Sequence, residues 1–450
     1  MATAGDSGYK PLADVRKSLR IEWYRSPIDR TVLKELSRRS DLQGWIQAGG
    51  HLALFALTGA LTYFFWWQHI WIGFFVALFL HGTIGSFFVG TNPHELGHGS
   101  VFRTKWLNRW FNYVFCMLAW YDPFDYNVSH TFHHRYTLHP EGDREVLLPL
   151  KPTVGKFFLV QLFTVNVFTQ PGRTLAKGGL LSTIIFTVRT AFGVHGPMKI
   201  PSHEWLKAIH ADQPKEFRKS IVWARWQLVF HGAILVFAIA TGQWVLPIIL
   251  SLFPFIANWA TYFVGLPMHC GLMDKTPDFR KCVRTITIPW PLEFIYWHMN
   301  WHLEHHMYAG VPCYNLSKLH KAIAHDVPEP RTLIGAWREM WYIWDRQQED
   351  PSYQFDTPLP ATAQRTREDE QDELDRSIAD LAPEGLRGRQ GSGTAPSCPE
   401  SDRNASEKCF RGEFEFAGRR QVVRSAWALS KEIRMRSRRI SVSTSASLFM

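Results

Sequence analysis

The sequence predicts an all-α integral membrane protein, in which four transmembrane helices form two hairpins and a cytosolic helical cap is rich in histidine. Two observations lead to this fold class. Long, almost uncharged apolar stretches occur in pairs, and eight of the 20 histidines fall into three short clusters that follow those pairs. The overall composition, 46% hydrophobic and 20% charged, is close to that of an average soluble protein. The uneven distribution therefore carries the prediction, and it excludes a uniformly disordered chain or a small disulfide scaffold.

The apolar stretches divide into four segments of membrane-spanning length. The two longest, Ile70–Gly90 and Trp244–Val264, would each form a helix about 31 Å long at about 1.5 Å per residue, which matches the hydrocarbon core of a bilayer. Tryptophans near the ends of the segments suit the membrane interfaces, and the segments lack the polar face that a soluble bundle would need. We therefore expect transmembrane helices at about 52–67, 70–90, 226–242 and 244–264.

Charge predicts the orientation of these spans. Residues 1–48 form a polar arm with nine Lys or Arg and no signal-peptide pattern, whereas the turns within the two hairpins carry no charge. The positive-inside rule then places the arm in the cytosol and both hairpin tips on the opposite side. Each hairpin returns the chain to the cytosol, so all three histidine clusters are expected on the cytosolic face of a membrane domain covering residues 49–345.

The remaining segments are predicted to be peripheral. Residues 157–169 and 180–194 are apolar but interrupted by basic residues, which favours helices lying along the membrane surface. Residues 346–450 are predicted to be a mostly disordered basic tail, with a membrane-binding helix near 419–436 as a less favoured alternative to a purely solvated segment. This tail offers no helical or aromatic context for nucleic acid, so no such partner is expected. The six cysteines are scattered and are predicted to be free thiols in a reducing compartment.

The three clusters share a helical spacing. His94 and His98 are four residues apart, and the pattern His-x-x-His-His occurs at 130–134 and again at 302–306, so each cluster projects from one helical face. Asn92-Pro93 is the expected start of the first of these helices. A zinc site takes three or four protein ligands, so eight imidazoles indicate two metal ions. Nitrogen-rich sites with open positions suit iron and dioxygen chemistry, although affinity alone does not exclude other metals.

One cluster also fits a different class of enzyme. His94-Glu95-Leu96-Gly97-His98 satisfies the His-Glu-x-x-His motif of zinc metalloproteases, in which the glutamate acts as a general base. An intramembrane protease would leave the other six clustered histidines unexplained, and we treat it as a remote alternative. Glu95 and Glu304 are expected instead to orient imidazoles through their free N–H groups, or to be ordinary surface charges.

The spacing and placement of the three clusters resemble the histidine boxes of the membrane-bound fatty acid desaturase superfamily, over roughly residues 45–345. The resemblance implies a di-iron centre on the cytosolic face, with dioxygen as co-substrate. It assigns no catalytic residues beyond the metal ligands. Family members usually have a ninth ligand between the fourth span and the third box. His269 occupies that place, and His298 is its rival because it would share a helical face with His302. The implied ligands are His94, His98, His130, His133, His134, His269, His302, His305 and His306.

The resemblance also implies the reaction and its partners. A desaturase would use dioxygen and external electrons to introduce a C=C bond into a fatty acyl or related lipid chain, supplied as a lipid or an acyl thioester. Hydroxylases and epoxygenases of the superfamily share the boxes, so oxygen insertion into a lipid, polyketide or isoprenoid chain is the alternative. The membrane would be the endoplasmic reticulum in a eukaryote or the inner membrane in a bacterium.

Electrons are expected from a separate donor. Some family members carry a fused haem domain with the motif His-Pro-Gly-Gly, whereas this chain has only His139-Pro140-Glu141-Gly142. The expected donor is a b-type cytochrome or a ferredoxin with its NAD(P)H reductase. We hypothesise that cytosolic basic residues steer an acidic donor or bind the phosphates of an acyl carrier. These residues are Arg103, Lys105, Arg109, Arg280, Lys281 and Arg284.

Overall fold

The computed structural model describes residues 8–172 and 178–366, together with residues 415–416 and 419–420. The described chain is mostly helical, as predicted. Short helices of the amino-terminal arm lead through a π-helical turn (Trp45–Gly49) into the first apolar hairpin. These helices are α1 (Leu12–Ser18), α2 (Arg30–Leu36), α3 (Asp41–Gly44), α4 (Gly50–Trp67) and α5 (Trp71–Ser86).

Three stretches of the described chain are long and apolar enough to cross a membrane. They are Asp41–Trp67, Trp71–Gly97 and Pro214–Thr241. The first includes the predicted span 52–67, and the other two cover the predicted spans 70–90 and 226–242 except for residues 70 and 242. Their helices present large apolar side chains to the surroundings; Ile72, for example, is 83% exposed. Apolar side chains exposed on this scale are costly in water and are typical of surfaces that face lipid. The number of crossings and the orientation of the chain remain predictions.

The fourth predicted span is not a single helix. Residues 245–255 form a short helical run made of α13 (Val245–Pro247), a π-helical turn (Ile248–Leu252) and a 3-10 turn (Phe253–Phe255). The chain then breaks, because Ile256 is extended and Ala257 adopts a positive φ of 45°, before α14 (Trp259–Gly265) begins. The prediction of one continuous helix over 244–264 is therefore wrong.

Neighbouring backbone satisfies the polar groups at this break. The Ala257 N–H donates to the Thr164 carbonyl at 2.8 Å, and the Asn166 N–H donates to the Phe255 carbonyl at 2.7 Å. Irregular backbone at membrane depth is tolerated only where other parts of the protein provide such partners. The break also lies against α5, where a Cβ on Gly82 would come within 2.2 Å of the Ile256 carbonyl oxygen. Glycine is therefore needed for the close approach of α5 to the broken segment.

The other helices build the cap and the remaining long helix. The first group is α6 (Thr91–Gly97), α7 (Lys105–Leu118), α8 (Pro123–Tyr136), α9 (Lys156–Phe163), α10 (Leu180–Ala191), α11 (Pro201–Asp212) and α12 (Pro214–Thr241). After a 3-10 turn (Leu266–Met268) come α15 (Phe279–Cys282), α16 (Trp290–Ile295), α17 (His302–Met307), a 3-10 turn (Cys313–Asn315), α18 (Leu316–Ile323) and α19 (Leu333–Glu349). Helix α9 begins one residue before the first segment predicted to be peripheral and lies otherwise inside it, and α10 lies within the second.

Two short strands join distant parts of the cap. Strand β1 (Ile286–Thr287) pairs in parallel with β2 (Arg331–Thr332), with Ile286 opposite Arg331. The main hydrophobic core lies between α5, α7 and the segments around α17 and α18, and it contains the fully buried rings of Phe88, Phe115 and Trp297. Polar side chains in and around this core are therefore shielded from water, which sets the environment of the histidine clusters.

Parts of the predicted tail can be described. Residues 351–366 contact the segment after α18: the Gln364 N–H donates to Asp326 Oδ1, and Thr362 donates to the His325 carbonyl. The chain divides into two compact units after Glu370, and the second contains a described antiparallel pair, β3 (Glu415–Phe416) and β4 (Arg419–Arg420). Most of the helix predicted near 419–436 lies outside the described residues. The four cysteines in the described part of the chain are all buried.

Candidate metal centre

Three helices carry the three histidine clusters. Helix α6 holds His94 and ends so that His98 is its C-cap; it starts after Gly90, slightly earlier than the predicted Asn92-Pro93 start. Helix α8 carries the second cluster and begins with chemistry typical of a helix start. The Asp122 side chain accepts hydrogen bonds from two backbone N–H groups and is followed directly by a proline. Helix α17 carries the third cluster, and all of its residues are buried.

Nine histidines, the same nine that the sequence predicts, meet in one buried region. They form a five-histidine group and a four-histidine group, and within each group one ring nitrogen per residue lies within 4.8 Å of all the others. The groups are His94, His98, His130, His134 and His305, and His133, His269, His302 and His306. The clusters on α8 and α17 are both divided, because adjacent residues in each cluster belong to different groups.

The ring nitrogens of the four-histidine group are spaced as ligands of one ion would be. His269 Nε2 lies 3.2 Å from His133 Nε2 and 3.0 Å from His302 Nε2. His306 Nε2 lies 3.1 Å from His302 Nε2. With metal–nitrogen bonds of about 2.1 Å, ligands at right angles are about 3.0 Å apart and ligands at the tetrahedral angle are about 3.4 Å apart. The observed spacing therefore fits a metal ion.

The five-histidine group has a similar geometry. His305 Nε2 lies 3.2 Å from Nε2 of His98 and also 3.2 Å from Nε2 of His134. The Nε2 atoms of His94 and His130 are buried and have no hydrogen-bond partner among the described residues. Leaving a buried polar atom unpaired costs free energy, so we expect these two nitrogens to bind a ligand. A metal ion would accept both lone pairs.

Asp143 holds His133 of the four-histidine group through Nδ1, the ring nitrogen that does not face the group centre. Its fully buried carboxylate lies 2.9 Å from His133 Nδ1 through Oδ2, and it also accepts the backbone N–H groups of Leu138 and Glu145, both at 2.9 Å. An Nδ1–H held by a carboxylate leaves Nε2 with its lone pair directed at the group centre. Asp143 thus fixes the tautomer and the orientation of one imidazole.

Neutral acceptors orient two further rings of this group. His269 Nδ1 lies 3.0 Å from the Cys282 carbonyl oxygen, to which it donates. His306 Nδ1 lies 3.3 Å from the Thr137 hydroxyl. The ring of His269 is therefore held by the last residue of α15, and the ring of His306 by the residue that ends α8.

Glu145 and Glu95 lie behind the five-histidine group. Glu145 Oε1 is 3.3 Å from His130 Nδ1, and its other oxygen accepts a 2.6 Å hydrogen bond from Ser129, which in turn accepts one from the indole of Trp205 on α11. Glu95 is fully buried and lies 2.9 Å from His94 Nδ1. These contacts agree with the expected orienting role of Glu95.

Burial keeps most of the imidazoles outside the candidate spans neutral. It lowers the pKa of His98 and of His269 to about 3, and it lowers the pKa of His302 and His305 well below the ordinary histidine value. His133 is an exception: burial opposes its protonation, but the Asp143 carboxylate outweighs burial and raises the pKa of His133. A metal needs deprotonated ligands, so neutral imidazoles are ready to bind one.

The sequence matches the family model for fatty acid desaturases over residues 65–337. The chain belongs to the fatty acid desaturase family. Membership makes it a membrane-associated oxidoreductase acting on lipid chains. No curated protein matches the sequence. The matched region includes all nine grouped histidines and the carboxylates behind them.

His298 does not share a helix with His302 in the structure, contrary to the expectation. It has a positive φ of 56° in the turn before α17, and its Nδ1 lies 2.9 Å from Glu293 Oε1. It belongs to neither histidine group. Among the described residues, His269 joins the eight clustered histidines in these groups and His298 does not.

The hypothesis that the basic residues steer a donor is wrong for Arg280 and Arg284. Arg280 is fully buried and paired with Asp278 and Asp326, while Arg284 is buried and paired with Glu339. The Lys281 side chain is half-buried and paired with Asp356. Sequence alone does not show such partners. Arg103, by contrast, has an 80% exposed side chain, and Lys105 and Arg109 are exposed as well.

The expectation for Glu304 also needs correction. Its carboxylate accepts hydrogen bonds from His320 and Thr285, and no box imidazole is among its hydrogen-bond partners in the described residues. The sequence reasoning missed Asp143 and Glu145, which carry out the orienting role. Their signal is weak, because an Asp-x-Glu pair in a polar loop resembles an ordinary solvated segment.

Proposed function

We propose that this desaturase binds two iron ions, one in each histidine group, and introduces a C=C bond into a fatty acyl or related lipid chain. The observation that carries the proposal is the pair of buried histidine groups within a family of lipid oxidoreductases. All nine imidazoles would be ligands. With dioxygen, bound iron would supply the oxidising power to attack an unactivated C–H bond, which acid–base and nucleophilic side chains lack.

The protein's own residues prepare the site for this chemistry. Asp143, Glu145 and Glu95 hold Nδ1 atoms, so that the Nε2 lone pairs of His133, His130 and His94 face inward. The buried surroundings exclude bulk water, which would otherwise compete for ligand positions and quench a strong oxidant.

An apolar cleft supports a lipid substrate. It has a volume of about 700 Å³ and lies between α4 and α16, lined by apolar residues such as Leu54, Leu57 and Phe294, with His298 and Tyr314 among the polar residues. Ligand sites commonly have about this volume and combine an apolar lining with a few polar groups. Part of the cleft wall belongs to a candidate membrane span, so a chain leaving the bilayer would meet this surface first.

The protease alternative is disfavoured by the position of Glu95. A general base must face the water that it activates, whereas this carboxylate lies behind the ring, against His94 Nδ1. Oxygen insertion is distinguished by its product. A desaturase gives a chain lighter by two hydrogen atoms, and a hydroxylase or epoxygenase gives a chain heavier by one oxygen atom.

The test is expression in a host of known lipid profile, followed by gas chromatography and mass spectrometry of the fatty acid esters. We expect a new unsaturated product with wild type and none with His302→Ala, while His325→Ala, which changes an exposed histidine outside both groups, retains the product. Metal analysis of the purified protein should give two irons per chain. One zinc per chain, or an oxygenated product, would overturn the proposal.

A further inference from the structure

Two ring contacts connect the partly exposed Trp23 with the four-histidine group. The Trp23 indole stacks on the ring of Phe279, with centroids 4.1 Å apart and planes 6° apart. The Phe279 ring lies in turn 5.5 Å from the ring of His306. Phe279 and His306 are both buried, so Trp23 is the outer end of this chain of rings.

A second route from Trp23 ends at the same histidine. The indole lies 5.6 Å from the His139 ring in an edge-on arrangement. His139 Nδ1 is 3.0 Å from the Thr137 carbonyl oxygen, and the Thr137 hydroxyl is 3.3 Å from His306 Nδ1. Both routes therefore converge on His306.

The segment that carries Trp23 is fastened to the site. The indole N–H donates to the Arg135 carbonyl at 2.9 Å, and the Tyr24 N–H donates to the Pro277 carbonyl at 2.9 Å. Arg25 donates to the carbonyl of Met307, next to His306, at 2.8 Å. The arm is thus held against the end of α8, the loop before α15 and the end of α17, and the position of the indole is fixed relative to the four-histidine group.

Four exposed basic residues lie in the segments that hold the indole. Arg20 and Arg25 are close to Trp23 in the chain, the backbone carbonyl of Arg135 accepts the indole N–H, and the backbone N–H of Lys275 donates to the carbonyl of Leu138, beside His139. All four basic residues are exposed, and none forms an ion pair within the described part of the chain. Glu22 and Glu141 are exposed acidic residues in the same segments, so the four cations outnumber them.

We propose that Trp23 is where electrons enter the protein, delivered by a small acidic one-electron carrier protein that docks on Arg20, Arg25, Arg135 and Lys275. The inference rests on the proposed function. Reduction of dioxygen to two water molecules consumes four electrons and four protons. Formation of the C=C bond releases two electrons and two protons from the substrate. Two reduced carriers must supply the other two electrons, one each, and water supplies two protons.

The geometry suits this role. Electron tunnelling through protein weakens exponentially with distance, so stacked rings between the surface and a metal ligand provide a short route. Opposite charge speeds the encounter of the two proteins and sets their orientation, without requiring a large apolar interface. A partly exposed indole, held by segments with exposed basic residues, provides both the short tunnelling route and the charge that attracts an acidic carrier.

The route is tested with Trp23→Leu, with Trp106→Leu as a control at another exposed tryptophan (58%). The probe is a soluble acidic b-type cytochrome, whose reoxidation by the iron-loaded protein, dioxygen and substrate is followed by stopped flow at saturating cytochrome. We expect Trp23→Leu to lose most of the limiting rate and Trp106→Leu to retain it. Turnover driven by dithionite and methyl viologen, which need no docking surface, should survive in both variants.

Docking is tested by binding of the oxidised cytochrome to ion-free protein, which is independent of turnover. Arg20→Glu with Arg135→Glu should raise the dissociation constant by about tenfold and weaken its salt dependence, since rim charges act through steering. Arg103→Glu with Arg109→Glu makes the same charge change at the exposed basic residues that the sequence suggested as a donor surface; the present proposal expects it to leave both quantities unchanged.

The outcomes separate the two proposals. If wild type turns over with dithionite and Trp23→Leu accepts electrons from the cytochrome as fast as wild type, the inference is overturned and the proposed function stands. It is also overturned if the charge reversal at Arg103 and Arg109 weakens cytochrome binding and the reversal at Arg20 and Arg135 does not. If wild type does not turn over with either reductant, the proposed function fails, and the inference fails with it.

Discussion

Replacing Asp143 with asparagine tests how the four-histidine group is held. The carboxylate accepts three hydrogen bonds of 2.9 Å, two through Oδ2 and one through Oδ1. Asparagine has a single acceptor oxygen. If that oxygen keeps His133 and Leu138, the amide NH₂ faces the Glu145 N–H, and two donors meet in a buried space. The substitution therefore removes one hydrogen bond and the negative charge behind His133.

The size of the effect follows from these contacts. Burial opposes the ionisation of Asp143, yet the His133 imidazole and the backbone N–H groups hold the pKa of this carboxyl below its ordinary value. The native state therefore uses the charged form. Loss of a group that orients a metal ligand typically weakens metal binding by about 10- to 100-fold, which corresponds to about 1.4–2.7 kcal/mol. We expect Asp143→Asn to lose metal affinity within this range at the four-histidine group.

The assay is retention of iron against chelators of graded affinity, with the metal that remains measured by mass spectrometry. Glu141→Gln is the matched control, because Glu141 is an exposed acid in the same loop and contacts neither group. Thermal unfolding of ion-free protein separates a loss of affinity from a loss of folding. The reasoning is refuted if Asp143→Asn retains iron as tightly as Glu141→Gln while both remain folded.

Three further predictions follow from geometry and burial. His269→Ala should halve the iron content measured by metal analysis, because it removes one of the four ligands of one group. His298→Ala should leave the iron content unchanged, and equal losses in both variants would contradict the prediction. Gly82→Ala should cost about 1–3 kcal/mol of stability, because its Cβ would collide with the Ile256 backbone. Gly232→Ala should be nearly neutral, because no atom lies within 4 Å of the added Cβ. Thermal unfolding in detergent compares the two variants. Burial lowers the pKa of His203, so the unfolded chain binds more protons than the folded protein below the ordinary value of about 6.5, and stability is lost as the pH falls. His203→Gln should therefore lose less melting temperature than wild type between about pH 7 and pH 5, and an equal loss would show that His203 does not contribute.

The sequence predicts which histidines come together better than it predicts how they are arranged. Spacings of three and four residues identify the eight clustered imidazoles, because such positions share one helical face. They do not show that His133 and His134 serve different groups, since that depends on the relative placement of α6, α8 and α17. Nor do they identify Asp143, whose role depends on a loop that brings it back against α8.

The errors have a common physical cause. Hydropathy alone predicts a continuous fourth span. In the structure, the backbone groups of Thr164 and Asn166 form hydrogen bonds with the polar groups exposed by the break near Ala257. Charge alone predicts an exposed Arg280, whereas Asp278 and Asp326 lie beside it in the folded chain. In both cases, the folded chain provides hydrogen-bond or ionic partners that offset the cost of burying polar backbone or charge. Rules based on hydropathy or charge alone do not include these partners.

The division of each His-His pair between the two groups couples their geometries. A single peptide bond joins His133 to His134, and another joins His305 to His306. Turning either helix about its axis to improve one coordination sphere would displace a donor in the other. Neither sphere can be redesigned alone, and a graft of this centre onto another scaffold would have to carry both dipeptides at once.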